Sequence, residues 1–386
     1  MISLKTLTTA EMSQVRCLWE ECFEDSPAFL DWYFKYRFQA KDGLGLFSDG
    51  LLLSSLHLSP RKIRIRKYTY PSAYLIALAT KPAFRKQGLA KKLLTYALRH
   101  LAANNIFFTF LMPFNLQFYT RLGWGIYCQH EFYQIPYLTA EDPHPNLSLI
   151  SSISDYHLLE KIYNKWEKKF NGALIRDKND WECLLRDHFM DGGKVYVLSD
   201  KDLEPTAYAL TLTKANKDKL FIRELAYTHL SFGKELLRQL SIDNPKNALI
   251  WIAPEESNPP SLFLPVKTLP IILGRITNLQ KALEALIYPP IDFQTTLEVF
   301  DPLLPENNGI YQLDLKQGQM QVLKVTDANV KIRCSIGALA RLIAGSALPG
   351  GKQLGNEIEL ISPDPELLFS LQTIFPKTTN YINEYF

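Results

Sequence analysis

Cysteine is scarce in this sequence, and its distribution supports neither a disulfide framework nor a metal site. The 386 residues include 5 cysteines and 7 histidines, all dispersed along the chain. No C-x-x-C pair occurs, and no histidine lies at zinc-ligand spacing beside a cysteine. We therefore expect reduced thiols that pack as small hydrophobic side chains, and no metal.

The sequence also lacks long apolar runs and an excess of one charge. No run of about eighteen consecutive apolar residues occurs, so no membrane span is predicted. The first residues do not show the charged-then-apolar pattern of a signal peptide, and we expect a cytoplasmic protein. The 43 basic and 40 acidic residues leave a net charge of +3, which gives no reason to expect a nucleic-acid partner.

The length of the chain exceeds what one hydrophobic core usually holds, so two or three domains are expected. The hydrophobic fraction of 47% and the charged fraction of 22% are those of an ordinary globular protein. A polar stretch with two prolines, from Thr139 to Asn146, and the pair Pro289-Pro290 are typical of linkers. They predict domains at residues 1–137, 147–288 and 291–386.

The stretch from Tyr74 to Gly123 carries the strongest chemical signal. An apolar run over residues 74–79 predicts a buried strand. A basic turn with Gly88 follows, and then apolar residues recur at helical spacing: Leu89, Leu93, Leu94, Ala97 and Leu101. The unpaired N–H groups at a helix start favour an anion, and a glycine lets the backbone approach it closely. Positive charge around the turn comes from Arg85, Lys86, Lys91 and Lys92. This pattern predicts a pyrophosphate site.

The motif Arg85-x-x-Gly88-x-Ala90 between a strand and a helix resembles the acyl-CoA-binding motif of the GNAT acetyltransferase superfamily. A second β-rich run follows, and then a short helix with the ending Phe118-Tyr119-x-x-Leu122-Gly123-Trp124. This ending is similar to the last helix of that superfamily before its closing strands. The alternative interpretation is a plain βαβ segment with a solvated basic loop.

The two later regions complete a mixed α/β (α+β) fold. Residues 147–288 repeat the order of helices, hairpins, strand, helix and strand, which indicates a second, degenerate GNAT-like fold. Its corresponding turn, 227–233, has no arginine or lysine, so we expect no CoA there. Residues 291–386 show alternating strands followed by helices at Ser335–Ala344 and Glu366–Phe375, which resembles a small sterol-carrier-protein-like domain.

This order of domains resembles the Eis (enhanced intracellular survival) family of N-acetyltransferases. The resemblance implies acetyl-CoA as co-substrate, a small-molecule amine as acceptor, and a homo-oligomer such as a hexamer. It implies Tyr119 as the general acid and the terminal carboxylate of Phe386 as the base. The implied cofactor-binding residues are Leu78, Thr80, Arg85, Lys86, Gly88 and Ala90. Tyr119 as a packed aromatic and Phe386 as a loose end are the structural alternatives.

These roles agree with the chemistry of amide formation from a thioester. The attacking amine must be uncharged, and the departing thiolate leaves more readily when it is protonated. A tyrosine with a pKa of about 10 is a reasonable donor to a thiolate whose thiol has a pKa of about 8.5. A terminal carboxylate, with a pKa of about 3.5, would act through water or by holding the cationic amine.

The acceptor is less constrained by the sequence. The family resemblance implies aminoglycoside-like amines, and a polycation needs carboxylates around its pocket. The carboxylate candidates are Glu24, Asp25 and Glu384, and aromatic side chains suited to cation–π contact are Phe23, Trp32 and Tyr36. For each of these, a solvated charge or a core aromatic is the alternative.

Three alternative functions stay open at this point. One is acetylation of protein lysines or N-termini, and another is a CoA-binding regulator without catalysis. The third is a non-catalytic protein that binds a lipid or apolar ligand in the third domain. That last function requires a hollow between Ile332, Leu339, Leu342 and Ile343.

Overall fold

A computed structural model describes residues 2–136, 146–213, 218–245, 248–255, 265–346, 358–361 and 364–384. Most of the predicted first linker and the terminal Phe386 lie outside these ranges. The chain forms two compact units, one of Met1–Tyr127 with Ile271–Thr378 and one of Cys128–Pro270 with Thr379–Glu384. The three predicted domains, 1–137, 147–288 and 291–386, stay a prediction. No helix within the described ranges is long and apolar enough to cross a membrane.

The strands and helices occupy the following residues. The strands are β1 Ile2–Thr6, β2 Gly43–Ser48, β3 Leu51–Ile65, β4 Tyr68–Thr80, β5 Phe108–Leu111, β6 Gly125–Ile135, β7 Leu147–Ile150, β8 Leu174–Ile175, β9 Lys194–Ser199, β10 Pro205–Thr213, β11 Lys219–Tyr227, β12 Ala248–Pro254, β13 Lys267–Ile276, β14 Phe293–Phe300, β15 Gly309–Lys316, β16 Gln319–Val325, β17 Ile332–Ser335 and β18 Ile358–Leu360. The helices are α1 Met12–Cys22, α2 Pro27–Trp32, α3 Leu89–Ala103, α4 Leu116–Thr120, α5 Tyr156–Trp166, α6 Lys178–Met190, α7 Leu230–Asp243, α8 Leu279–Ala285, α9 Ile336–Ala344 and α10 Pro365–Ile374.

The first sheet of the first unit has the strand order β1-β2-β3-β4-β5-β13. Its pairs are antiparallel except β4 and β5, which run parallel because α3 forms the crossover between them. The apolar residues predicted at helical spacing face this sheet, since Leu93, Leu94, Ala97 and Leu101 are all buried in one core cluster. Burial of this face gives α3 most of its stability in the folded protein.

The same unit contains a second sheet, with the order β16-β15-β14-β17-β18, and the buried helix α9. The Arg275 guanidinium joins it to the first sheet by donating to the Gly123 carbonyl at 2.7 Å and to the Asp301 carboxylate at 2.6 Å. Both charged side chains of this ion pair are fully buried. Arg275 therefore holds Gly123, which follows α4, against Asp301, which follows β14.

The second unit repeats the strand arrangement of the first sheet. Its order is β6-β12-β11-β10-β9-β7, and β11 and β12 run parallel with α7 between them. The carboxy-terminal segment 379–384 also belongs to this unit. The Asn171 amide donates to the Thr379 carbonyl at 2.9 Å, and the Ile382 carbonyl lies 3.1 Å from His130 Nε2. These contacts tie the last described residues to the unit.

Candidate active site

The parallel strands β4 and β5 separate at their carboxyl ends. Their pairing covers Ser72 to Tyr74 opposite Phe108 to Phe110, and beyond Tyr74 β4 is paired with β3 but no longer with β5. Opposite β3, Ser55 pairs with Ala79 and His57 pairs with Ile76, so β4 carries one additional residue there. Ala77 takes a left-handed conformation with φ of 53°. This β-bulge takes the backbone groups of Leu78 out of the regular ladder and leaves them available to a ligand.

The turn between β4 and α3 is shaped to receive an anion. Lys86 has φ of 63°, and Gly88 has φ of 77° and caps the amino terminus of α3. A Cβ placed on Gly88 would meet nothing within 4 Å, so the space beside this residue is open. The glycine is favoured here because its φ is positive, a conformation that other residues rarely adopt. The two left-handed residues, Lys86 and Gly88, flank Gln87 directly before the helix. Such an alternating turn can point neighbouring N–H groups toward one anion, where the helix dipole adds to the positive potential.

A cavity of about 510 Å³ follows this turn. All six predicted cofactor-binding residues line it: Leu78, Thr80, Arg85, Lys86, Gly88 and Ala90. The structure thus brings these residues together in one cleft, which we call the donor cleft. Residues that the sequence motif did not include also line it, namely Cys22, Phe84, Phe114 and Phe118. Phe84 lies in the turn itself and Phe118 in the ending quoted above. Cys22 and Phe114 reach the cleft only through the packing of α1 and of the segment before α4, and no local pattern marks them.

A second cavity, of about 390 Å³, contains Tyr119 and Asp25 and is called here the acceptor pocket. It shares Phe23, Leu78 and Phe114 with the donor cleft. The two spaces are therefore continuous at the point where β4 and β5 separate. Carboxyl ends of parallel strands are a common place for ligands, because the opening there is lined by loops.

Tyr119 lies on α4, which begins at Asn115, whose side chain accepts a hydrogen bond from the Phe118 amide at 3.0 Å. The ring packs edge-on against Phe118 and Trp124. Only 4% of the residue is exposed, and this burial raises the pKa of the Tyr119 hydroxyl above its ordinary value. The hydroxyl is therefore protonated at neutral pH and can donate a hydrogen bond into the pocket.

The predicted substrate residues occupy three different environments. Asp25 lines the acceptor pocket, and its carboxylate accepts a hydrogen bond from Trp19 Nε1 at 2.7 Å. Trp32 is a buried core residue that packs on Phe29 and Tyr33 and lines neither cavity. Glu384 belongs to the second unit and forms a buried ion pair with Arg176 at 3.0 Å. Phe386 lies outside the described residues.

The corresponding turn of the second unit offers no open glycine. Helix α7 begins at Leu230 and is capped by the His229 side chain. A Cβ on Gly233 would lie 2.5 Å from the Tyr227 ring. This glycine therefore allows close packing of protein against protein.

The fold and the site together define a class of protein. A parallel strand pair opens at a bulge and a left-handed glycine turn follows at a helix start, so backbone groups and the helix dipole face one cleft. Residues 3–127 match the acetyltransferase (GNAT) domain family, and residues 279–383 match the sterol carrier protein domain family. The chain thus contains a GNAT-type acetyltransferase domain and a carboxy-terminal sterol-carrier-type domain, and these two predictions are confirmed.

Solved structures show the same fold over the whole chain. A GCN5-related N-acetyltransferase from Anabaena variabilis is 20% identical with a TM-score of 0.84, and a probable N-acyltransferase from Enterococcus faecalis is 19% identical with a TM-score of 0.86. Eis1 from Mycobacterium abscessus is 17% identical with a TM-score of 0.79. In all three comparisons 100% of each chain is covered. The predicted mixed α/β fold is confirmed, and Eis1 is among the structures that share it. No curated protein matches the sequence significantly.

Proposed function

We propose that the protein transfers an acetyl group from acetyl-CoA to a primary amine of a small cationic substrate. The observation that carries this proposal is the continuity of the donor cleft and the acceptor pocket through Phe23, Leu78 and Phe114. A thioester in one space and an amine in the other would meet at this junction. Holding two reactants in contact supplies a large part of the rate enhancement of a two-substrate reaction.

The donor cleft fits an acyl-CoA. The α3 start and the basic side chains of Arg85 and Lys86 suit the pyrophosphate. The bulge at Ala77 exposes backbone groups of Leu78 that suit the amide groups of the pantetheine arm. Apolar and aromatic side chains, among them Phe84 and Phe114, enclose the remainder of the cleft.

Two groups would transfer protons in this reaction, one as a base and one as an acid. As the new C–N bond forms and the C–S bond breaks, the amine loses a proton and the thiolate gains one. We assign the second proton to Tyr119, whose burial keeps its hydroxyl protonated. The raised pKa makes the Tyr119 hydroxyl a weaker acid, but the same burial would also raise the pKa of a thiol beside it, so the two effects on the transfer oppose each other. We assign the first proton to the terminal carboxylate of Phe386, acting through water or by holding the ammonium form.

The acceptor pocket favours a cationic amine. Glu24 and Asp25 line it, and the Trp19 indole fixes the Asp25 carboxylate. Of the alternatives, ligand binding inside the third domain has less support. Ile332, Leu339, Leu342 and Ile343 are all buried, and none of them lines the cavity of about 700 Å³ that opens beside α9.

Acetyl-CoA binding and thiol release with a panel of amines test this function. The panel contains an aminoglycoside, a linear polyamine and a lysine peptide. If only the peptide is acetylated, the result favours the alternative function of a protein acetyltransferase. Tyr119→Phe should keep acetyl-CoA affinity and lower turnover by about 10²–10⁴-fold, the usual contribution of a general acid. The matched control is Tyr96→Phe on α3. Wild-type turnover in Tyr119→Phe with every accepted amine would exclude Tyr119 as the acid.

The resemblance to the Eis family also supports a homo-oligomer, such as a hexamer, and the sequence pattern leads to the further proposal of a cytoplasmic location. Sedimentation of the purified protein and fractionation of cells test these two proposals.

A further inference from the structure

A third cavity, of about 340 Å³, adjoins the donor cleft between α3 and α4. Its lining residues are Lys91, Asn115, Gln117, Phe118, Arg121 and Leu122. Lys91 and Phe118 also line the donor cleft, so the cleft continues past the phosphate-binding turn into this space. Arg85 and Lys86 line the donor cleft but not the third cavity. The third cavity adds Arg121 to the positive charge of the donor cleft, and Lys91 lies where the two spaces meet.

The charge of this cavity is not neutralised by the protein. No acidic residue lines it, and neither the Lys91 ammonium nor the Arg121 guanidinium forms an ion pair within the described part of the chain. Other cations of the same region are paired, because Lys81 contacts Glu21 at 2.6 Å and Arg99 contacts Glu306 at 2.7 Å. Two unneutralised cations at one concave site attract a ligand group with more than one negative charge.

Coenzyme A carries such a group near its pyrophosphate. Its ribose is joined to the pyrophosphate through one methylene and bears a 3′-phosphate monoester, whose charge at neutral pH is about −1.5 to −2. A pyrophosphate at the Arg85–Ala90 turn would direct the ribose and the adenine beyond the turn, toward the space that Lys91 and Phe118 share. The Phe118 ring is available there for stacking with a base.

We propose that Lys91 and Arg121 bind the 3′-phosphate of the CoA donor and make the enzyme selective for CoA over 3′-dephospho-CoA. This inference rests on the proposed acyl-CoA donor and adds a specificity determinant to it. The Asn115 side chain caps α4 through the Phe118 amide, and this cap stabilises the short helix that carries Phe118 and ends at Arg121.

Calorimetric titration of CoA and of 3′-dephospho-CoA into the full-length protein tests the proposal. We expect the wild type to prefer CoA by about tenfold or more at low salt, with the preference falling as salt rises. Arg121→Ala should weaken CoA binding several-fold and leave binding of 3′-dephospho-CoA unchanged. Lys91→Ala should weaken CoA binding more than 3′-dephospho-CoA binding, because Lys91 also lines the donor cleft, and the two substitutions together should remove most of the preference. Lys86→Ala should weaken both ligands.

The matched control is Lys92→Ala, because Lys92 is an exposed neighbour that lines neither the donor cleft nor the third cavity. It should leave the preference for CoA intact. Equal affinities of the wild type for both ligands would overturn the inference, as would equal losses for both ligands in Arg121→Ala. If acetyl transfer is present in that case, the proposed function stands and only the 3′-phosphate assignment fails. If neither ligand binds, both fail.

Discussion

Glu224→Gln is the most stringent test of what holds the second unit together. The Glu224 carboxylate on β11 accepts hydrogen bonds from two Arg176 nitrogens at 2.7 and 2.8 Å, from the Tyr208 hydroxyl at 2.6 Å and from Asn383 Nδ2 at 2.9 Å. All of these partners donate. A glutamine amide would therefore turn a donor toward another donor in either of its two orientations.

The expected loss of stability follows from the burial of the cluster. The Arg176 and Glu224 side chains are 2% and 0% exposed. Removal of one charge from a buried pair usually costs about 3–5 kcal/mol. Because Glu384 still lies 3.0 Å from Arg176, we expect the lower end of this range, about 3 kcal/mol. The control Glu204→Gln breaks the Lys161–Glu204 pair, whose side chains are 50% and 58% exposed, and should cost about 0–1 kcal/mol.

Hydrogen exchange followed by mass spectrometry measures this loss in each unit separately. Peptides of β10 and β11 should exchange much faster in Glu224→Gln than in the wild type, while peptides of α3 and β4 should not change. Global urea unfolding is less suitable, since a chain with two compact units does not have to unfold in one step. If Glu224→Gln accelerates exchange no more than Glu204→Gln, the cluster does not stabilise the unit as reasoned.

The difference in stability between the wild type and Glu224→Gln should depend on pH. Burial alone would raise the pKa of Glu224, but Arg176 and the other donors outweigh it, so the net effect is a lowered pKa. The folded state therefore binds this proton less tightly than the unfolded state. The stabilisation is present above the ordinary glutamate pKa of 4.5 and is lost as the pH falls through the lower folded value. The difference between the wild type and Glu224→Gln should shrink over that acidic range.

Three further predictions concern the first unit and the chain end. Gly88→Asp should lower acetyl-CoA affinity by about tenfold or more, because it places a negative charge at the phosphate-binding turn; unchanged affinity in a folded variant would exclude the turn. Arg275→Leu leaves the buried Asp301 carboxylate without its ion pair and should destabilise the first unit by about 3–5 kcal/mol in hydrogen exchange, whereas a shift below 1 kcal/mol would contradict this role. Residues added after Phe386 should depress turnover far more than acetyl-CoA binding, and a tagged enzyme with full activity would show that the terminus is only a tail.

The sequence alone determined the features that depend on local chemistry. Helical spacing and one glycine predicted α3 and its phosphate-binding turn, and the structure has them at Leu89–Ala103 and Gly88. The helices of the third region were predicted to within one or two residues, as Ile336–Ala344 and Pro365–Ile374 show. The six cofactor-binding candidates lie in one cleft because they fall within thirteen consecutive positions, from Leu78 to Ala90. Neighbours in sequence at a strand–turn–helix junction stay neighbours in space.

Tertiary structure decided the features that depend on distant pairing. No predicted strand covers β13, which completes the first sheet by pairing with β5. The bulge at Ala77 arises from the register of β4 against β3 and has no signature in its own residues. The Glu384 side chain, a candidate for the substrate site, pairs with Arg176 across 208 residues of chain. A carboxylate looks the same in the sequence whether it meets solvent, a substrate or a buried arginine, and only the folded chain supplies the partner that distinguishes these cases.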